Sequence, residues 1–86
     1  MKRLVEEVSG EGLEGLIGKT VALWCLNYIY WGKLVGVNNT DVKLENAKVV
    51  YETGSLLDAN WKLSESLPGP HYIRVSAIES YGERVI

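Results

Sequence analysis

Thr20-Val-Ala-Leu-Trp-Cys-Leu26, a break at Asn27-Tyr28, then Ile29-Tyr-Trp-Gly-Lys-Leu-Val-Gly-Val37: the reading of this stretch decides the fold. From Lys19 the pattern has a period of two, and the residues are β-branched, aromatic and apolar, the chemistry of strands. Val21 to Leu26 is apolar without interruption, as in a strand covered on much of both faces. In the second segment Tyr30, Gly32, Leu34 and Gly36 share one face, and Trp31, Lys33, Val35 and Val37 share the other. Two glycines inside a strand mark sharp bending or a close backbone approach. Strong curvature is what a small barrel needs.

The pattern continues outward in both directions. Asn38-Asn-Thr-Asp41 is a polar turn. Val42-Lys-Leu-Glu45 alternates as a third strand, Asn46-Ala47 suits a bend or bulge, and Lys48-Val-Val-Tyr-Glu52 carries the strand on. Thr53 to Pro70 reads as a long loop ending in Pro-Gly-Pro, with Leu56, Leu57, Trp61 and Leu63 able to pack part of it down. Loops of that length are commonly functional or mobile. Tyr72 to Val75 is a fourth strand, Ser76 a tight corner, and Ala77 to Tyr81 a fifth. Before the sheet, Leu4, Val5 and Val8 fall on one side of a short helix over the first eight residues. Gly10, Gly12 and Gly15 stop it, each costing about 1 kcal/mol in a helix interior. Leu13, Leu16 and Ile17 suit one further apolar turn. No long helix follows any strand, which excludes a βαβ sheet. The expected architecture is mostly β: a short N-terminal helix and a five-stranded, strongly bent antiparallel sheet forming one small SH3-like barrel over residues 1–86.

The composition narrows the function classes. A chain of 86 residues makes one small domain. Surface scaling gives it roughly 5,000 Å² folded against roughly 14,000 Å² extended, marginal burial for a monomer, so self-association is a reasonable expectation. Nine basic and eleven acidic residues give a formal charge of −2, which argues against coating duplex DNA by charge alone. The single cysteine, Cys25, excludes an internal disulfide and a zinc site of several thiolates. No apolar run is long enough to span a bilayer. Met1-Lys-Arg-Leu-Val-Glu-Glu7 places two acids where a signal peptide needs an apolar stretch. The expected setting is the cytoplasm, without membrane, cofactor or small-molecule substrate.

Local motifs add little chemistry. Gly10-Glu-Gly-Leu-Glu-Gly15 matches G-x-G-x-x-G, but no strand precedes it and its two glutamates would oppose a pyrophosphate. His71 stands without a second metal-binding neighbour, so no metal site is expected. Cys25 suits a small buried hydrophobe. No nucleophile–base pair is suggested, and no enzyme is expected. Trp24, Tyr28, Tyr30, Trp31 and Tyr51 could stack on single-stranded bases. In a small barrel such residues more commonly fill the core or a subunit seam, Tyr28 least so because it sits in a turn.

Ile17-Gly-Lys-Thr-Val21, Gly32-Lys-Leu-Val-Gly-Val-Asn38, Asp41-Val-Lys-Leu44 with Ala47, and Ile73-Arg-Val-Ser-Ala-Ile78 together resemble, in order and spacing, the two signatures of the Sm/LSm family, which includes bacterial Hfq. The resemblance covers most of Leu16 to Tyr81 apart from the 53–70 loop. It implies a homo-oligomeric ring of about five to seven subunits, in which the fourth strand of one copy joins the fifth strand of the next. Tyr72, Ile73, Val75, Ala77 and Ile78 would then form the subunit seam. It also implies that Asn38, Asn39, Thr40, Asp41, Arg74 and Ser76 meet at the pore and bind single-stranded RNA, in RNA regulation or processing. The sequence departs from the family pattern at several of these positions. Asn38 stands for the usual Asp, Asp41 for the usual Asn, Val75 for the glycine after the arginine, and the turn is one residue short. An ionised Asp41 only accepts hydrogen bonds and repels phosphate. A ring that serves as an assembly or protein-interaction module without RNA binding is the alternative, with an Arg74–Asp41 pair at its centre. A third reading is an SH3-like peptide reader using Trp31 and Tyr51.

Overall fold

The structure is a computed structural model that describes residues 12–57, 61 and 63–84. The helix expected over the first eight residues lies outside the described residues. The expected apolar turn is a 3-10 turn at Glu14–Leu16. Six strands follow: β1 (Thr20–Cys25), β2 (Ile29–Val37), β3 (Asp41–Glu52), β4 (Leu63–Ser66), β5 (His71–Arg74) and β6 (Ile78–Glu83). A second 3-10 turn, Val75–Ala77, makes the corner expected at Ser76.

All pairings are antiparallel. The order is β4-β3-β2-β1-β6, and β5 joins β3 on the 41–44 half while β4 joins it on the 48–52 half. Two expectations are corrected. The sheet has six strands rather than five, because Leu63–Ser66, inside the segment read as loop, pairs with β3. The ladder is also open: among the described residues no pairing joins β6 to β4 or β5, so the curled sheet is not a closed barrel.

The curl has a local cause. Asn46 adopts the left-handed region at φ 52°, and the β2–β3 register shifts between Trp31 and Lys33, opposite it. One extra residue in β3 bends the strand there. β3 presses on Gly32 at this bend, the close approach that its glycine implied: a Cβ on Gly32 would sit 3.0 Å from Ala47 Cα and from the Glu45 carbonyl oxygen. Gly36 is different, since its nearest neighbour would be Lys43 Cβ at 4.0 Å.

The bend encloses the main core. Val21, Leu23, Leu34, Val42, Leu44, Ala47 and Ile73 are buried together, with Leu13, Leu16, Tyr30, Val75 and Ile78 packed against them. The opposite face of β1 carries a second cluster, in which Ala22 and Val50 are covered by Trp61 with Trp24, Ile29 and Trp31 alongside. This is why Val21 to Trp24 reads as apolar on both faces. Of the loop residues expected to pack down, Trp61 does so, whereas Leu56, Leu57 and Leu63 stay more than half exposed.

Candidate functional site

The β2–β3 turn and the β5–β6 corner lie side by side. Asp41 is the register partner of Arg74, and the Val75 amide donates to the Thr40 carbonyl at 2.8 Å. The structure thus brings together the two segments that the sequence singled out. Within the turn, Asn38 Oδ1 accepts from the Thr40 and Asp41 amides, both at 2.8 Å. The Thr40 hydroxyl lies 2.8 Å from Asp41 Oδ2 and 3.1 Å from Asn38 Oδ1. These are the side-chain bonds that make Asn and Asp turn residues.

The six candidate residues therefore differ in what they can offer a ligand. The side-chain oxygen of Asn38 and the hydroxyl of Thr40 are engaged inside the turn. Asp41 is half-buried and accepts from Thr40. Asn39, Arg74 and Ser76 are exposed and make no side-chain hydrogen bond among the described residues. Arg74 and Asp41 face each other across the ladder, yet no ion pair between them is formed.

Along β3 and β5, Asp41 and Lys43 share a sheet face with Tyr72 and Arg74, and Lys43 Nζ lies 5.7 Å from the Tyr72 ring centre. Cation, ring and guanidinium are adjacent there. A groove of about 310 Å³ opens beside this patch, lined by Tyr28, Tyr30, His71, Tyr72 and Arg74. His71 stacks on Tyr30 with ring centres 5.9 Å apart. Cys25 also lines the groove. Burial, and then the charge of Glu79, pushes its thiol above the ordinary range. The other expected cations lie elsewhere: Lys33 is opposite Glu45, and Lys48 lies over Trp31. Among the described residues no cluster of His, Cys, Asp and Glu could hold a metal ion.

The residues expected at a subunit seam also separate. Tyr72 is 61% exposed. Ile73 is not at a surface: its side chain is buried in the protomer's own core, because β5 alternates and Ile73 is the inward position. Val75 and Ile78 are half-buried against that core, and Ala77 lines the groove. What faces outward is backbone. Since Val75 bonds Thr40, the bonded pairs of β5 with β3 are those at Val75 and Ile73, and alternation turns the amides and carbonyls of Tyr72 and Arg74 away from β3. On β6 the Arg84 amide donates to the Thr20 carbonyl at 2.8 Å, which by the same alternation turns Tyr81 and Glu83 outward. Both edges are unpaired among the described residues.

No family model matches the chain, and no curated protein matches it. Among the described residues no helix is long and apolar enough to cross a membrane.

Proposed function

We propose that this protein is an Sm-like subunit that assembles into a ring and binds single-stranded RNA beside Arg74, in a cytoplasmic setting. The observation that carries this reading is the juxtaposition of the 38–41 turn with Arg74–Ser76. The motifs resembling the family's two signatures fall on segments that touch. A guanidinium can stack on a base or meet a phosphate, and Asn39 and Ser76 supply hydrogen-bonding groups beside it. The Lys43–Tyr72 pair adds a charge and a stacking face on the same side. The two open edges support assembly, because an unpaired strand invites another chain, and a head-to-tail contact closes into a ring when its rotation allows.

A specific observation favours the second reading, a ring of this kind that serves as an interaction module without RNA. The Asp41 carboxylate lies directly across from Arg74, where it offsets the charge a phosphate would seek. Fluorescence anisotropy with labelled oligo-U and oligo-A at low salt separates the two. The RNA reading expects saturable binding that weakens about ten-fold in Arg74→Ala, the loss of one stacked or charged contact. Absence of binding at micromolar protein removes RNA and leaves the assembly module.

A further inference from the structure

The alternation of β5 and β6 fixes what a further copy would bring to Arg74. On β5 the backbone of Tyr72 and Arg74 faces outward, and their side chains lie on the face opposite the buried Ile73. On β6 the backbone of Tyr81 and Glu83 faces outward, and their side chains share the face of their β1 partners, Leu23 and Val21. Each edge thus offers two outward positions, two residues apart. An antiparallel seam bonds outward positions to outward positions. Within the bounds of the two strands one register matches both: Arg74 opposite Tyr81 of the next copy, and Tyr72 opposite its Glu83. A shift of two residues one way brings Arg74 to Glu79, where β6 carries an extra residue against β1 and the alternation fails. The opposite shift sets Tyr72 beyond Glu83, the last residue of β6.

The charges suit these edges to each other. β5 carries Arg74 and no carboxylate, whereas β6 carries Glu79 and Glu83 and no base. Glu83 is paired with Lys19 at 3.6 Å, so Glu79 is the carboxylate left to draw the basic edge in. Tyr72 is 61% exposed and Tyr81 42%, ring surface that a lone protomer leaves in water. Residues directly opposite in a sheet project to the same side, with Cβ atoms about 5 Å apart. The ring of the next copy's Tyr81 then stands beside the Arg74 guanidinium. It also lies diagonally from Tyr72, whose own ring centre is 5.7 Å from Lys43 Nζ. Cations and rings alternate along such a seam, the arrangement that holds a single strand by its phosphates and its bases.

We infer that the RNA site is shared between copies, and that Tyr81 of the next copy supplies the stacking face beside Arg74. This rests on the ring and RNA readings above, and adds to them a register and a residue donated across the seam.

Two measurements test it. Opposed residues of a bonded pair have Cα atoms about 5.5 Å apart, within the span of a disulfide. Mild oxidation of Arg74→Cys/Tyr81→Cys therefore gives a ladder of covalent multimers on a non-reducing gel. Tyr72→Cys/Tyr81→Cys, a diagonal pair at about 7–8 Å, does not. The second measurement is anisotropy with labelled oligo-U and oligo-A at low salt, with the mass followed by light scattering. Tyr81→Phe keeps the affinity, and Tyr81→Leu, which keeps the bulk without a ring, weakens it about ten-fold at unchanged mass. A co-assembled mixture of Arg74→Ala and Tyr81→Leu copies binds more tightly than either parent, because some seams join an intact Arg74 to an intact Tyr81. An unmodified protein with the mass of one chain removes the ring, and a ring that binds no RNA removes the RNA reading; each overturns the inference with it. An RNA-binding ring overturns the inference alone if it gives no ladder, gives one equally from the diagonal pair, or yields a mixture no better than its parents. Should Tyr81→Leu not assemble, the two oxidised variants still decide the register.

Discussion

Gly32→Ala lowers the melting temperature by about 4–24 °C, while Gly36→Ala leaves it unchanged or raises it slightly. The two glycines stand four residues apart in one strand, and propensity alone treats them alike. Their surroundings do not. At Gly32 the added methyl meets the Ala47 Cα and the Glu45 carbonyl oxygen at 3.0 Å and the Ala47 nitrogen at 3.3 Å. These are backbone atoms at the bulge of β3, and they retreat only if the β2–β3 ladder opens. Overpacking of this kind costs about 1–3 kcal/mol, and in a domain of this size each kilocalorie is worth about 4–8 °C. At Gly36 the methyl enters ordinary contact range, and the lower entropy of the unfolded alanine chain adds about 0.4–1 kcal/mol of stability. Thermal denaturation of both variants by circular dichroism checks the pair. Equal melting temperatures would show that β3 does not press on β2 where the structure places it.

In the proposed ring, Tyr72→Pro is expected to dissociate the assembly and leave the protomer folded. The Tyr72 amide points away from β3, so proline removes no hydrogen bond within the protomer, and it is tolerated on an edge strand whose donor faces outward. It removes one donor from every junction and sets a pyrrolidine ring where a neighbouring strand would lie. Ile73→Pro is the contrast. The Ile73 amide faces Val42 in the bonded register, and its side chain belongs to the core, so this variant loses a ladder bond and packing together. Size-exclusion chromatography with circular dichroism distinguishes them: a small folded species for Tyr72→Pro, and an unfolded or aggregated chain for Ile73→Pro. A Tyr72→Pro protein that elutes with the unmodified one would place the seam elsewhere.

Much of the sheet was legible because each of its long strands carries its own period. β1 and β2 show it plainly, and β3 shows both halves with the bulge at Asn46 between them. β4 was not legible. Leu63-Ser-Glu-Ser66 has one apolar side chain, no β-branched residue and no buried position, and it becomes a strand through backbone bonds to Lys48–Glu52. An edge strand of that kind leaves almost no trace in side-chain pattern. That the sheet stays open was equally beyond reach, since curvature can be read from Gly32 and the bend at Asn46-Ala47 but whether distant edges pair cannot.

The candidate site was legible as two motifs and not as a division of labour. Spacing placed Asn38 to Asp41 and Arg74 to Ser76 as turns worth joining. It did not show that the Asn38 oxygen and the Thr40 hydroxyl are engaged within the turn, because a hydrogen bond two or three residues along depends on the backbone path. Ile73 stands in an edge strand and looks available to a partner, yet the alternation of β5 turns it inward. The tryptophan cluster, in which the Arg84 guanidinium carbon lies 4.0 Å from the Trp31 and Trp61 ring centres, went unread for another reason. Trp31, Trp61 and Arg84 are distant in sequence, and only the return of the chain at Trp61 over β1 and β2 joins them.

In the proposed ring a further copy completes the backbone edges at Tyr72–Arg74 and Tyr81–Glu83, which are unpaired among the described residues. Multi-angle light scattering on the unmodified protein at tens of micromolar tests this directly. The expected mass is about five to seven times the 9.6 kDa of one chain. A mass of one chain at that concentration would contradict it.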